Sequence, residues 1–352
     1  MTRRTVLIAA FVCVSVVSAF RQTDAALSDR LTNAEFWSLT TRSSEPDGHF
    51  RSDNLVSNEI KFQWVIPDLL GRVRTRGVYI GVGPEQNFTY IAALKPRIAF
   101  VVDVRRGNTD LHLMYKALFE LSRDRADFVS LLLSRPRPDG LTSKSTAGEI
   151  FSAFAAANPS ERQGNATLAD IRHQLTTVHR FPLNGDDLMR IETIFRVFYL
   201  AGTKIQYSPY GSFGGTTQPS YADLMAATDE AGESRSFLAN DALFEVMRDL
   251  EQRNLVVPLV GDFAGPKTVR TIGEYARTHG TTVSTFYVSN VEEYLKADQR
   301  LAFCRNVASL PLTAESTFIR AVRGDTLNPS NEGFVNQLES MLHDSLRCGV
   351  VH

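Results

Sequence analysis

The chain has 352 residues, of which 43% are hydrophobic and 22% are charged, and its formal net charge at pH 7 is -1. A chain of this length can bury a large apolar core. Lysine and arginine form no basic stripe along the sequence, which speaks against a nucleic-acid partner, because binding to phosphates requires clustered positive charge.

The first twenty residues have the pattern of an export signal. Arg3 and Arg4 precede an uncharged run at 5–20, and the small residues at 17–19 resemble a cleavage site. The pattern predicts a signal peptide at residues 1–19 and an exported protein, either periplasmic or secreted. The alternative is an uncleaved segment that anchors the protein in the inner membrane, although a membrane span needs about 20 apolar residues.

Residues 20–50 are mostly polar, with one amphipathic stretch at 32–39, and are interpreted as a leader segment in front of the domain. The spacing of apolar residues between 54 and 70 predicts a helix. Two apolar runs follow, Val78–Val82 and Ile98–Asp103, and each of them is predicted as a buried strand.

Helical periodicity dominates the middle of the chain. No strong strand signal interrupts it at about 140–250, which predicts a helical insertion within a single domain at residues 51–352. The Gly/Ser/Thr-rich stretch at 211–217 is either a loop that closes over a pocket or a plain connector. Strand and helix patterns then alternate, with strands at 255–260, 282–288 and 318–322 and helices at 265–277, from about 292, and at 331–346.

The alternation of buried strands with helices predicts an α/β fold. The sheet is expected to be doubly wound, mostly parallel and Rossmann-like, because parallel strands need helical crossovers on the faces of the sheet. Cys304 and Cys348 are the only cysteines beyond Cys13. They could form one disulfide in an oxidising compartment, or they could remain as two buried thiols.

The carboxyl ends of the strands are the places to look for a site, because ligands bind there in open α/β sheets. Four polar strand ends are expected to meet at one crevice. They carry Gly81, Gly83 and Glu85 after the first strand, Asp103 and Arg105 after the second, Asp262 and Lys267 after the third, and Asn290 after the fourth.

The turn after the first strand discriminates between ligands. In a dinucleotide site the pyrophosphate rests on a helix N-terminus. Here Pro84 and Glu85 occupy the turn, and the carboxylate of Glu85 would repel a phosphate, which disfavours NAD and FAD. A cationic ligand without phosphate, such as S-adenosylmethionine, avoids this clash, and its ammonium could pair with Glu85. Alternatively, Glu85 only stabilises its helix by lying at the positive end of the helix dipole.

The second strand offers an acid and two arginines. Asp103 could accept the hydroxyls of a ribose. The Arg105-Arg106 pair could clamp a carboxylate with two parallel hydrogen bonds, or it could form an ion pair with Glu85 or Asp262. No two histidines have the spacing of a metal-binding motif such as H-E-x-x-H, so no metal site is expected.

The strand ends and the helices that follow them together resemble a class I S-adenosylmethionine-dependent methyltransferase. More closely, they resemble a family of uncharacterised bacterial proteins with that fold, and the resemblance covers most of residues 50–325. At two positions the chain departs from the methyltransferase pattern, because Tyr79 replaces the usual acid and Glu85 replaces the third glycine. The segments that carry the resemblance are 81–87, 103–106, 112–121, 260–267 and 286–292.

The resemblance implies a methyltransferase-like protein that binds a small molecule at the strand ends, with S-adenosylmethionine-dependent methyl transfer as the reaction. The signal-peptide pattern adds the expectation that this protein is exported. The alternative is a non-catalytic binding or envelope-associated protein that has lost cofactor binding, because S-adenosylmethionine is made in the cytoplasm. The assigned roles are catalysis for Asp262 or Tyr287, cofactor binding for Gly81, Gly83, Glu85, Asp103 and Arg105, and substrate binding for Lys267 and Asn290.

Overall fold

The computed structural model describes residues 27–207, 218–324 and 333–348. The predicted signal peptide and the loop at 211–217 lie outside these residues. Six strands form one sheet in the order β3-β2-β1-β4-β5-β6, in which β1 to β5 are parallel and β6 is antiparallel to β5. The strands are β1 (Val78–Val82), β2 (Ile98–Asp103), β3 (Val256–Val260), β4 (Val283–Ser289), β5 (Thr317–Arg323) and β6 (Phe334–Ser340).

Helices connect and surround the strands. Among the described residues none is long and apolar enough to cross a membrane. A π-helical turn at 174–178 and 3-10 turns at 202–204 and 291–294 accompany them. The α-helices are α1 (Asn33–Ser43), α2 (Ile66–Arg72), α3 (Gln86–Leu94), α4 (Arg106–Leu121), α5 (Arg125–Leu133), α6 (Ala147–Ala156), α7 (Glu161–His173), α8 (Gly185–Ala201), α9 (Tyr221–Ala226), α10 (Asp241–Gln252), α11 (Thr268–Thr278), α12 (Ala297–Ala308) and α13 (Met341–Leu346).

The prediction of an α/β fold with a mostly parallel sheet is confirmed. Every residue of β2 and β3 is buried, which explains their unbroken apolar sequences, because a parallel strand covered on both faces has no polar side. β1 lies in the centre, with β2 and β3 on one side and β4 and β5 on the other. The strand order therefore reverses between β1 and β4, and such a reversal opens a crevice at the carboxyl ends of the strands.

Two predicted helices are wrong. The first was expected at 54–70, but only its end is helical, as α2, and the preceding residues form turns and irregular backbone. The second was expected at 331–346, where the described residues form β6 followed by the short α13. The residues of β6 pair along the whole length of β5, whose edge would otherwise leave backbone groups without hydrogen bonds.

The middle of the chain is helical, as predicted. In this region α8 packs against α4 and α5, and α6 packs against α9. Aromatic rings connect α4 with α5 and α10, for example Phe119 with Phe128, whose ring centroids are 4.7 Å apart, and Phe119 with Phe244 at 5.5 Å. This helical layer is thus joined to the sheet through the apolar face of α4.

The segment interpreted as a leader is packed onto the domain in its described part. α1 buries Phe36 and Leu39 and lies against β3. The chain then crosses the carboxyl ends of β2 and β3, where the backbone N–H of Gly48 donates to the carbonyl of Val104 (2.7 Å) and the N–H of Glu45 donates to the carbonyl of Val260 (2.8 Å). We call residues 44–48 the strap. It holds the chain against the carboxyl ends of these two strands.

One disulfide connects Cys304 on α12 to Cys348, two residues beyond the end of α13. The two Cα atoms are 5.5 Å apart, and 44 residues separate the cysteines in sequence. Of the two alternatives for these cysteines, the structure shows the disulfide and not two free thiols. The bond links the C-terminal segment covalently to α12.

Candidate functional site

A cavity of about 210 Å³ lies at the carboxyl ends of β1 to β4. We call it the strand-end cavity. The segment before α2, the turns after β1 to β4 and the segment around Phe50 enclose it. Five of the nine residues that the sequence assigned to a site line this cavity, and they are Gly83, Asp103, Asp262, Tyr287 and Asn290.

The two glycines of the first turn have different roles. A Cβ atom on Gly81 would lie 1.8 Å from the Oδ1 atom of Asn87. The Nδ2 atom of Asn87 donates to the carbonyls of Val82 (2.9 Å) and Pro84 (2.7 Å), so this side chain holds the turn from inside. Gly81 makes room for it and does not line the cavity. Gly83 does line the cavity, with a φ of +76° that favours glycine.

Gly81→Ala is expected to lower the free energy of unfolding by roughly 3 kcal/mol, because the added methyl group displaces Asn87 and breaks the hydrogen bonds of the turn. Gly83→Ala is the matched comparison. Its methyl group would meet no atom within 4 Å, so its main cost is the left-handed backbone, about 1–2 kcal/mol. Urea denaturation of both variants measures the difference, and equal losses would contradict a packing role for Gly81.

Glu85 does not reach the cavity, which corrects its assignment as a cofactor-binding residue. Its side chain is fully buried, and its Oε1 atom accepts a hydrogen bond from the backbone N–H of Ser57 (3.2 Å). Its Oε2 atom has no hydrogen-bond partner among the described residues. Burial raises the pKa of Glu85 to about 8, so the side chain is mostly a neutral carboxylic acid at pH 7. The expected pairing with a ligand ammonium is therefore not available in this structure.

His112 supports the same turn from the other side. Its Nε2 atom is 2.9 Å from the carbonyl oxygen of Gly83, which can only accept, so this nitrogen carries the hydrogen. Burial lowers the pKa of His112 to about 4, and the ring is therefore neutral at pH 7. The histidine acts on the turn by fixing the orientation of the Gly83 carbonyl.

Asp103 is available to a ligand only in part. Its Oδ1 atom accepts from the backbone N–H (2.9 Å) and the Nε atom (2.8 Å) of Arg105, and its Oδ2 atom accepts from Nη2 of the same arginine (2.7 Å). A carboxylate can accept about four hydrogen bonds, so one position on Oδ2 is left by the described residues. Arg105 also donates to the carbonyl of Ser52 (2.6 Å) and does not line the cavity. Its assigned contact with a cofactor is therefore corrected to the positioning of Asp103.

The third strand end is shaped by the strap. Asp262 lines the cavity, and its Oδ1 atom accepts from the N–H of Ala264 (2.8 Å). Lys267 does not line the cavity, which corrects its assignment as a substrate-binding residue. Its Nζ atom donates to the carbonyl of Ser44 (2.7 Å), and its backbone N–H donates to the carboxylate of Glu45 (2.8 Å). Glu45 thereby occupies the N-terminus of α11, where the helix dipole favours a negative charge.

Glu59 is the main residue that sequence reasoning missed. It lies in the irregular segment before α2, lines the cavity and is only 2% exposed. Its Oε1 atom accepts from the hydroxyls of Tyr287 (2.8 Å) and Ser289, and its Oε2 atom accepts from the amides of Gln86 (2.8 Å) and Asn336 (2.7 Å). The one signal for it in the sequence is an acid within an apolar stretch, which the predicted helix at 54–70 concealed.

The charge and surface of the cavity limit its ligands. Acids lie at three positions of its described wall, Glu59, Asp103 and Asp262, whereas no lysine or arginine of the described residues lines it. Aromatic side chains form much of the remaining surface, including Phe50 and Tyr294, whose ring centroids are 5.3 Å apart. The described residues bring together no group of three His, Cys, Asp or Glu side chains that could hold a metal ion. An acidic, aromatic wall favours a neutral or cationic ligand over an anionic one.

The fold and the cavity define the class: an α/β protein with a mostly parallel sheet and a concave cavity at the strand ends. The sequence matches the profile of the family "Domain of unknown function (DUF7790)" over residues 54–143 and 211–346, which is more than half of the chain. The chain belongs to this family. The residues between the two matched stretches contain α6 to α8. A comparison with proteins of curated function gave no significant match.

Proposed function

We propose that the strand-end cavity binds S-adenosylmethionine and that the protein is a methyltransferase-like protein whose reaction is methyl transfer. The observation that carries this proposal is the acidic, aromatic wall of the cavity, without a lining lysine or arginine among the described residues, beside the turn after β1. S-adenosylmethionine carries a positive sulfonium and no phosphate. It therefore suits a cavity whose charges would repel a nucleotide phosphate.

The residues at the β2 side suit the adenosine part of such a ligand. Asp103 offers one acceptor position to a ribose hydroxyl, and Arg105 holds the carboxylate in place for it. Gly83 has no side chain between the backbone and the cavity, so a ligand can approach the turn closely. In a sheet with this strand order, the crevice at the reversal between β1 and β4 is the usual place for a ligand.

The cofactor, when bound, supplies an electrophilic methyl group on its sulfonium. The contribution of the protein would be mainly to position two reactants in a site that excludes water, which can remove much of the entropic barrier. Aromatic faces such as those of Phe50 and Tyr294 stabilise a nearby cation. Asp262 and Tyr287 both line the cavity, and both are placed to orient a second substrate by hydrogen bonds.

A second candidate is a non-catalytic binding protein on the same fold. The disulfide between Cys304 and Cys348 favours it, because such bonds persist in oxidising compartments, whereas S-adenosylmethionine is made in the cytoplasm. In this case the protein would be exported to the periplasm or the medium and would bind a ligand found there. Cell fractionation of the tagged full-length chain, with sequencing of the mature N-terminus, tests the export. An intact N-terminus in the cytoplasm would contradict it.

Isothermal titration calorimetry with S-adenosylmethionine and S-adenosylhomocysteine tests the proposed ligand. Asp103→Asn is expected to weaken binding about 10- to 100-fold, because the ribose loses a charged acceptor. Asp186→Asn, at an exposed position in the first turn of α8, is the control and should bind normally. No heat at millimolar ligand with folded wild-type protein would rule out the proposed cofactor, and normal binding by Asp103→Asn would rule out the ribose contact.

A further inference from the structure

The end of the strand-end cavity next to β4 contains a buried carboxyl group that has no ion-pair partner among the described residues. Glu59 receives four hydrogen bonds, two on each oxygen, from Tyr287, Ser289, Gln86 and Asn336. A carboxylate can accept about four hydrogen bonds, so these four donors match its acceptor positions. Glu59 forms no ion pair with any described residue, and a charge that is only 2% exposed is costly without a partner of opposite sign.

The hydroxyl groups around this charge can only accept hydrogen bonds from a ligand. Tyr287 and Ser289 each have a single hydroxyl hydrogen, and both donate it to Glu59. The Nδ2 atom of Asn290 donates to Glu293 (3.2 Å), and its Oδ1 atom, which lies 3.5 Å from the hydroxyl of Ser289, is the accepting end of the amide. The part of the wall formed by these three residues therefore presents oxygen lone pairs in front of a negative charge.

The backbone at this place is held in an unusual conformation. Ser289 has a φ of +51°, in the left-handed region that side chains other than glycine rarely adopt, and the pairing of β4 with β5 is irregular between Tyr287 and Ser289. Such conformations persist only where the surroundings enforce them, and they are concentrated at functional sites. The hydroxyl of Ser289 donates a hydrogen bond to Glu59, and both residues line the cavity. This hydrogen bond fixes the serine oxygen next to the carboxyl group of Glu59.

We propose that this end of the cavity is a subsite for a protonated primary amine, with Glu59 as the counter-ion and with Ser289, Tyr287 and Asn290 as hydrogen-bond acceptors. A primary ammonium has three donors, no acceptor and a positive charge, which matches an acceptor-only wall with a buried carboxylate. The subsite lies opposite the ribose-binding position, because β4 and β2 flank β1 on different sides. The identity of the whole ligand rests on the proposed function, whereas the chemistry of the subsite does not.

The ammonium could belong to the amino-acid part of the adenosyl ligand or to a separate amine that accepts the methyl group. Two pairs of probes distinguish these sources by calorimetry. S-adenosylhomocysteine carries an ammonium that 5′-methylthioadenosine lacks. 2-Phenylethylamine combines an ammonium with a ring that suits the aromatic wall, and 2-phenylethanol is its uncharged counterpart.

Wild-type protein is expected to prefer the amine-bearing member of at least one pair by about tenfold or more, and Glu59→Gln is expected to abolish that preference. Preference within the adenosyl pair assigns the ammonium to the cofactor, and preference within the phenyl pair assigns it to a separate amine. If neither adenosyl compound binds while the phenyl pair shows the preference, the proposed function fails and the subsite stands. Equal affinities within both pairs, absence of binding by all four probes, or a preference that survives in Glu59→Gln would each overturn the subsite.

The variant has a defined structural risk. The new amide nitrogen at position 59 would face either the hydroxyls of Tyr287 and Ser289, which can turn to accept, or the amide nitrogens of Gln86 and Asn336. In the second orientation the Oδ1 atom of Asn336, which has no partner among the described residues, can accept if that amide turns over. If Glu59→Gln does not fold, the comparison of the probes on wild-type protein decides alone. Equal affinities for the amine-bearing and the uncharged member of both pairs would then contradict the subsite.

Discussion

Glu85→Gln is expected to make the protein more stable than wild type at pH 8 while leaving it nearly unchanged at pH 5. In the folded protein, burial raises the pKa of Glu85 to about 8 from its ordinary value of 4.5. The folded state therefore keeps a proton between these pH values that the unfolded chain releases. The free energy of unfolding of wild type must then fall as the pH rises through this window. Glutamine imitates the protonated carboxyl at every pH and removes this fall.

The size of the effect follows from the pKa shift. A change from 4.5 to about 8 corresponds to roughly 5 kcal/mol between the two ends of the window. Glu251 contributes a fall of the same sign, since burial raises its pKa to about 8 as well. His112 contributes in the opposite sense below pH 6.5, because its pKa is lowered to about 4. Both contributions remain in the variant, so the difference between the two proteins isolates Glu85.

Urea denaturation at pH 5, 6, 7 and 8 measures this difference, with Glu230→Gln at an exposed position as the control. The control should follow wild type at every pH. Parallel curves for Glu85→Gln and wild type would show that the pKa of Glu85 is not raised in the folded protein, and the argument that its carboxyl is neutral at pH 7 would then fail. Ligand binding by Glu85→Gln is expected to be normal, because the side chain does not line the cavity.

The strands were predictable because burial on both faces leaves a simple signal. β2 has the predicted bounds, and β1 and β3 agree with the apolar runs, since each of these strands needs almost only apolar residues. The region at 54–65 was not predictable in the same way. Its apolar residues are spaced as in a helix, but several of them, including Phe62, are buried although they lie in turns and irregular backbone. Periodicity does not distinguish these cases.

The candidate site was predictable as a location and less so as a set of contacts. The strand ends did converge on one cavity, as open α/β sheets require. Which side chains point into it depends on packing that a single sequence does not reveal. Glu85 is buried behind the turn after β1 and does not line the cavity, Lys267 donates to the strap, and Arg105 forms an ion pair with Asp103. Glu59 belongs to no motif, and only the fold brings it beneath β4.

Removal of the disulfide by Cys304→Ser with Cys348→Ser is the second large effect, with an expected loss of about 4 kcal/mol in the free energy of unfolding. The bond closes a segment of 44 residues, and the chain-entropy model gives about this value for a loop of that length. Reduced wild-type protein should lose a similar amount, because the covalent constraint on the unfolded chain is the same in both cases. Urea denaturation with and without reductant, for wild type and the double variant, measures both losses.

The double variant also serves as the control for reductant, which should change the stability of wild type and leave that of the variant unaltered. Thiol titration of protein purified from the cytoplasm and from the exported fraction then connects the bond to the compartment. We expect Cys304 and Cys348 to be free thiols in the first and bonded in the second, since cytoplasmic thiols are kept reduced. A chain that keeps residues 1–19 carries Cys13 as a further free thiol. Equal stability of oxidised and reduced protein would contradict the constraint. A bond formed only outside the cytoplasm would make the exported protein the stable form, and a ligand present in that compartment would then be the one to seek for the strand-end cavity.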